Sequence, residues 1–387
     1  MVTHLSIATK GAGISLFFSR LGFFLDHLFD MTSYVCMINI KTNTVSKGGQ
    51  AMAVTIKDIA KRANVATSTV SRVLQDSPKI SEATKARVRK EMKALGYEPN
   101  YSAQSLANRM TQSLGIIMPE ADVSIFQNPF FLESIRGISE LANEKNFTMA
   151  IVTGKDSDEV LTRVKTMTRA NRVDGFIVLY SKPDDPVVDF FHSEKIPYTV
   201  IGKPQQYVSE TTHVDNDNFQ AGKDVVHYLT ELGHRHIAYV GADIVRTVHK
   251  ERVRGYHAAL EEKKLAVNAD YVLGTDFTNE DISRLFSLTI PPTAIIVGDD
   301  MAALPLQKAL HPLGVLVPDH CSLISFNNLT LADMMNPPLT SVDIDIFTLG
   351  FQAAKSLIEK IQDPKEITKH IIVPHRIIER ESCIKYH

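Results

Sequence analysis

The stretch ATSTVSRVL, residues 66–74, puts Thr67, Ser68, Thr69, Ser71 and Arg72 among Val70, Val73 and Leu74 at helical spacing. Short hydroxyl side chains let a helix lie close in a DNA groove and reach base edges, and an arginine beside them can bind guanine O6 and N7 through two parallel hydrogen bonds. Capping is the plainer use of Ser and Thr near a helix start, and Thr67 is placed for that as well. A second group of polar residues closes a series of short apolar runs: Tyr180 and Ser181, Asp215 to Asn218, Asp299 and Asp300, Asn327 and Asn328. Carboxylates and amides bond to sugar hydroxyls, and a ring such as Phe130 or Phe131 in PFF can stack on a pyranose face. Tyr180, Asp217, Asp299 and Asn327, with the two phenylalanines, are therefore candidate effector contacts. The same Asp and Asn residues suit helix caps and turns equally well.

The elements that must position the first group are legible around it. In TIKDIAKRANVATSTVSRVLQDS, Thr55 and Asp58 have the spacing of a helix start, Ile56, Ile59 and Ala60 form one stripe, and the helix is predicted to run to about Arg62. Asn64 falls where a tight turn wants positive φ, which asparagine tolerates well. A second helix is predicted from about Thr67, burying Val70, Val73 and Leu74. A third follows Ser81 as N-cap, with Val88, Met92 and Leu95 on one face and Gly96 after its end. Its run Lys85, Arg87, Arg89, Lys90 and Lys93 reads mostly as a solvated face with a few phosphate contacts. In PNYSAQSLANRM, Leu106 is either a packing residue or an apolar wedge for a minor-groove base step.

Charge separates this segment from the remainder. Residues 54–112 hold eleven Lys/Arg against five Asp/Glu, whereas residues 113–387 hold 27 against 37. A small basic module joined to a larger acidic body fits a polyanion binder controlled by something else. In that body LGIIMP, TMAIVTG, DGFIVLYS, YTVIGK, HIAYVGA, YVLGT, TAIIVGDD and SLISFNN alternate with amphipathic stretches. Such alternation predicts parallel sheets covered on both faces, and about nine strands suit two lobes better than one. Ligands of open α/β sheets gather at the carboxyl ends of the strands, where the polar residues named above stand.

The segments TIKDIAKRANVATSTVSRVL, ISEATKARVRKEMKALGYEPN and AQSLA resemble the DNA-binding headpiece and hinge helix of the lactose and purine repressor family. The likeness extends through GYHAAL to the closing HRIIERES. It implies a three-helix helix-turn-helix headpiece plus hinge helix, followed by a two-lobed α/β core like a periplasmic sugar-binding protein. It places Thr67, Ser68 and Ser71 at the major groove with Arg72 beside them, and makes Leu106 the hinge wedge. Thr55, Thr69, Asn100 and Ala103 complete the expected DNA-contacting set. Arg252 becomes the ligand-gripping arginine by this resemblance, although the residues alone allow a surface salt bridge. Three departures stand out: Ala66 where many members have serine, a cap worth about 1 kcal/mol; Asn64 for a common glycine; and Asn327 for a common aspartate. Within the family, VLYSKPDD, VIGKP, VDNDN and ISFNN look most like regulators of maltose and maltodextrin operons. The alternative is a catabolite-control regulator that uses a phosphorylated protein corepressor.

The expected domains are a leader at 1–53, a headpiece at 54–98, a hinge at 99–112 and a core at 113–387. Lobe 1 is taken as about 113–213 and 341–369, lobe 2 as about 214–340 and 370–387. Residues 1–51 read as translated leader DNA, since Lys47-Gly48-Gly49 can be encoded by a ribosome-binding sequence just before Met52. The apolar run at 13–29 is interrupted by Arg20 and Asp26, short of the roughly 20 residues of a membrane span. Cys36, Cys321 and Cys383 have neither disulfide-framework nor zinc spacing, which fits a reducing cytoplasm. GDD at 298–300 and the histidines of GHRHIA are set aside as metal motifs, the latter as solvated turn residues. Without a catalytic constellation, an enzyme or an exported sugar receptor is a weaker reading than a regulator. The expected partners are double-stranded operator DNA, a small sugar and a second copy of the chain, with no cofactor, metal or membrane.

Overall fold

The computed structural model describes residues 54–74, 76–97, 110–119, 127–243 and 246–386. The leader and the expected hinge residues Asn100, Ala103 and Leu106 lie outside the described residues. The chain divides into two compact units, at 1–98 and 99–387.

The first unit is a three-helix module: α1 (Ile56–Ala63), α2 (Thr67–Leu74) and α3 (Glu82–Leu95). Helix α1 starts at Thr55, whose N–H and hydroxyl both donate to the Asp58 carboxylate at 2.8 and 2.7 Å. It ends at Asn64, which adopts the left-handed conformation (φ 50°, ψ 54°) that the sequence anticipates. Ile59, Ala60, Ala63, Val70, Val73 and Val88 form the core, with Met92 and Leu95 against it. The charged face of α3 departs from expectation at Lys85, which is only 5% exposed. Its ammonium is held by Asp76 at 3.1 Å and Glu82 at 2.9 Å. Burying the aliphatic stem while two carboxylates hold the tip makes Lys85 a structural residue.

The second unit follows the order β1 (Ser113–Ile117), α4 (Pro129–Glu144), β2 (Thr148–Val152), α5 (Ser157–Arg169), β3 (Gly175–Val178), α6 (Pro186–Glu194), β4 (Tyr198–Ile201), β5 (His213–Asp215) and α7 (Asn218–Glu231). It continues through β6 (Ile237–Ala242), α8 (Thr247–Glu262), β7 (Val272–Gly274), α9 (Asn279–Phe286), β8 (Ala294–Val297), α10 (Asp300–Leu310), β9 (Ser322–Phe326), α11 (Thr330–Met334), β10 (Thr340–Asp343), α12 (Ile346–Gln362), β11 (His370–Ile372) and β12 (Arg376–Ile378). Two six-stranded sheets result, ordered β11-β5-β4-β3-β1-β2 and β12-β10-β9-β8-β6-β7. All pairings are parallel except β10 with β12.

The inner strands β1, β3, β6, β8 and β9 are buried at every position because both faces are covered, whereas β2, β11 and β12 are partly exposed. Along β8, Ala294 and Ile296 enter one core while Ile295 and Val297 enter another, as the alternation of a pleated strand requires. β5 (HVD), β10 (TSVD), β11 (HII) and β12 (RII) are short and each carries polar residues, so they form no continuous apolar run, which is why the apolar runs suggest about nine strands. The lobe boundaries shift accordingly. β10 pairs with β9, so lobe 2 extends to 343, and β11 pairs with β5, so 370–372 belong to lobe 1. Hydrogen-bond pairing fixes these segments, and their composition carries no trace of it.

Each lobe brings two helices unusually close across glycines. In lobe 2, α7 packs on α8, and a Cβ on Gly222 would lie 2.2 Å from the Arg252 carbonyl oxygen. One on Gly255 would lie 2.0 Å from the Phe219 carbonyl oxygen. In lobe 1, Gly137 and Gly350 play the same part between α4 and α12. Gly222 and Gly255 thereby set how closely α8, which carries Arg252, approaches α7.

Candidate functional site

The headpiece displays its polar face on α2. Ala66 occupies the cap position, its carbonyl accepting from the Thr69 and Val70 N–H groups, so Thr67 is already inside the helix. Thr67, Ser68 and Arg72 are exposed, Thr69 and Ser71 half-buried, and Val70 and Val73 face inward. The side chains expected to read bases are therefore on the outer face of a fixed helix. Thr55 is exposed, but its hydroxyl is engaged by Asp58. Arg62 pairs with Glu91 and Arg89 with Asp76, at 2.9 and 2.6 Å. Lys57, Lys61, Arg87, Lys90 and Lys93 are exposed around them.

In the second unit a cavity of about 470 Å³ opens at the carboxyl ends of both sheets. Phe130, Phe131, Tyr180, Arg252, Asp299 and Asn327, all singled out from sequence, line it. The two phenylalanine rings begin α4 and stand edge to face, centroids 5.3 Å apart at 87°. Asp217 does not join them. It is exposed and caps α7, its carboxylate accepting from the Gln220 N–H at 2.9 Å, while Asp215 and Asn216 line the cavity in its place. VDNDN sets four acid or amide side chains in a row, Asp215 to Asn218, and only the turn geometry selects which of them face inward.

Arg252 is 2% exposed and sits at the cavity wall, its guanidinium 4.1 Å from the centroid of the Phe326 ring. Its Nε donates to Asn218 Oδ1 and its Nη1 to the Gly298 carbonyl, both at 3.0 Å, leaving further donors of the five-proton fork. The surface salt bridge that the sequence allows is thus replaced by a buried, hydrogen-bonded cation. Burial pulls its pKa down, with the Tyr239 hydroxyl and the carboxylates of Asp299 and Asp215 opposing. Burial raises Asp215 to about 6, against the N–H of Asn216 and the charge of Arg252. His249, one turn before Arg252, also lines the cavity, and burial beside that cation lowers it to about 3, so it is neutral near pH 7. His249 is not among the candidates that residue type marks in the sequence, although its place one turn before Arg252 is a usable signal. Lys182, Lys203 and Arg246 are further lining residues outside those candidates.

Other suspected residues serve the fold. Asp300 is fully buried, accepting from the Ser325 and Ser341 hydroxyls and, at 2.6 Å, the Leu329 N–H. Asn328 Oδ1 accepts from Arg380 at 2.7 Å. His234 is 1% exposed and bonded to Thr293 and Ser322, contrary to the expected solvated turn histidine. Among the described residues, no cluster of His, Cys, Asp and Glu is arranged to hold a metal ion. Among the described residues, likewise, no helix is long and apolar enough to cross a membrane.

A reading helix in one unit and a sheet-end cavity in the other have counterparts among known proteins. Residues 55–100 match the model of bacterial regulatory proteins of the lacI family, and residues 226–383 that of a periplasmic binding protein-like domain. The HTH-type transcriptional regulator MalR of Streptococcus pneumoniae is 37% identical over 342 residues, covering 85% of this chain and all of that protein. The chain belongs to the lacI family of bacterial regulatory proteins. This LacI-family member is a DNA-binding transcriptional repressor with a periplasmic-binding-protein-like core. Catabolite control protein A of Priestia megaterium is similar at 31% identity over 337 residues, 86% of this chain and 99% of that one. A solved structure of a probable maltose operon transcriptional repressor from Staphylococcus aureus superposes with a TM-score of 0.65 at 26% identity, covering 70% of this chain and 98% of that one.

Proposed function

We propose that this LacI-family repressor holds its operator as a homodimer and releases it when maltose or a short maltodextrin occupies the cavity between the lobes. The observation that carries the proposal is the lining of that cavity. Phe130, Phe131 and Tyr180 offer apolar faces to a pyranose, while Asp215, Asp299, Asn327 and Arg252 offer acceptors and donors to its hydroxyls. A volume of about 470 Å³ falls within the range that encloses small ligands. The similarity to a probable maltose operon repressor and to MalR favours a glucose-built oligosaccharide over other sugars.

On the DNA side, Thr67, Ser68, Thr69, Ser71 and Arg72 contact base edges in the major groove, and Thr55 contacts the backbone. Asn100, Ala103 and Leu106 act in a hinge that pairs with its partner's over the operator centre, Leu106 entering the minor groove. Ligand in the cavity favours a lobe arrangement that separates the two hinges. The protein works in the cytoplasm, where its operator is.

Operator binding followed by fluorescence anisotropy tests the reading, using protein beginning at Met52, upstream DNA of its own gene, and fixed salt. Tight binding released by maltose and not by ribose is the expected result. Similarity to catabolite control protein A supports one other reading, in which a phosphorylated protein acts as corepressor. Binding indifferent to every sugar, but strengthened by a phosphorylated carrier protein, would select it.

A further inference from the structure

The lobes are joined by three chain crossings. They run from β5 to α7 at 216–217, from β10 to α12 at 344–345, and from β11 to β12 at 373–375. Asn216, in the first crossing and 5% exposed, donates from Nδ2 to the Ile344 carbonyl at 2.9 Å and to the Val373 carbonyl at 2.8 Å. One side chain thus ties the second and third crossings to the first. The assignment of its amide is forced, because only an NH₂ group can donate to two carbonyl oxygens at once. The Val373 N–H, in turn, donates to the Asp215 carbonyl at 2.8 Å.

The clasp continues into the cavity. Asp215 Oδ1 accepts from the Asn216 N–H at 2.8 Å and from Asn218 Nδ2 at 3.0 Å. Asn218 Oδ1 accepts from Arg252 Nε at 3.0 Å. A continuous chain of hydrogen bonds therefore links the buried cation in the cavity wall to all three crossings.

We infer that Asn216 is a positioning residue for the switch: it makes the three crossings turn as a single hinge, and so transmits occupation of the cavity to the arrangement of the lobes. Three independent strands would allow the lobes to twist through many intermediate arrangements. A bonded triplet restricts them to a few discrete ones, and a ligand can shift an equilibrium only between states that bind it differently. Removing the amide leaves two buried carbonyls without their donor, and with them the coupling. Asp215, already within the chain, is the group that a sugar hydroxyl would perturb.

The ligand arm of the test rests on the sugar-control reading above; the exchange arm does not. Operator affinity of the full chain is measured with no sugar and with maltose at saturation for each variant, so that altered maltose affinity does not enter the ratio. Asn216→Ala is expected to reduce the maltose-induced loss of operator affinity about tenfold, a typical size for coupling between sites. Asn216→Ser, which keeps one donor, should fall between, and it replaces the alanine variant if that one fails to fold. A wild-type ratio in a folded variant overturns the inference. Amide hydrogen exchange, without sugar, should be faster in the variants at 343–346 and 372–376 while the sheet cores are unchanged. Unaltered exchange there overturns it as well. A wild-type protein that ignores maltose counts against the sugar assignment alone, and the exchange result then decides on the clasp.

Discussion

Two buried or strained residues show what single side chains cost and contribute. Asp300 has no exposure, and burial raises it from 3.8 to about 6, although the hydroxyls of Ser325 and Ser341 and the Leu329 N–H all favour its charged form. A folded-state pKa above the unfolded one contributes stability that is complete below pH 3.8 and is lost as pH rises through 6. Between pH 4 and pH 7 the wild type should therefore lose about 2 kcal/mol relative to Asp300→Asn. Urea unfolding of both proteins at the two pH values measures that difference, and a constant difference would show that Asp300 stays ionised throughout. At Asn64 the strain lies in the backbone, with φ at 50°. Asn64→Gly should raise the midpoint of headpiece unfolding. Asn64→Val should lower its stability by about 1–2 kcal/mol, because a β-branched side chain meets the carbonyl in the left-handed region.

At the scale of elements, helix α2 and the pair α7 and α8 are held in place by different means. Val70 and Val73 anchor α2 in the headpiece core, so that Arg72 projects outward and takes no part in that core. Arg72→Ala should cost about 1–3 kcal/mol of operator affinity and relax preference at one base pair per half-site. Competition anisotropy with single-base operator variants resolves that pattern, and a loss that is uniform across sequences would mean a phosphate contact. In the pair, the glycines decide how near the backbones come. A methyl group on Gly222 would need the Arg252 carbonyl to move, since the two would be 2.2 Å apart. Gly222→Ala should lower stability by about 1–3 kcal/mol and weaken sugar binding more than Gly96→Ala does. Calorimetric titration with maltose, alongside thermal unfolding, separates the two effects. At Gly96 an added Cβ meets nothing within 4 Å and only the φ of 61° resists it.

For the second unit as a whole, the two sheets face one cavity, and Asp215 lies both at its wall and immediately before the first crossing. Since burial raises Asp215 to about 6, its carboxylate is charged above that pH and increasingly protonated below it. A sugar hydroxyl donates more strongly to the charged form, so maltose affinity should fall as pH drops from 7 to 5. Asp215→Asn should bind maltose more weakly at pH 7, with a flatter profile. Titrations across that range in both proteins check the sign, and an unchanged slope would remove Asp215 from the ligand's reach.

Local chemistry was readable without coordinates wherever one residue type dictates one conformation or one face. Asn64 at the turn, Ser81 and Gly96 around α3, the inward valines of α2 and the strand-end positions of Tyr180, Asp299 and Asn327 follow from propensity and periodicity alone. The alternation of apolar runs likewise determined a parallel, two-lobed body. The sequence could not choose between Asp215 and Asp217, because neighbouring side chains in a turn differ only in direction. Nor could it place β10 and β11 in opposite lobes, since TSVD and HII form no distinct apolar run and are defined by their pairing with β9 and β5. The bonds from Asn216 to Ile344 and Val373 span 128 and 157 residues. No periodicity encodes such a distance; only the closure of both sheets brings the three crossings within reach of one amide.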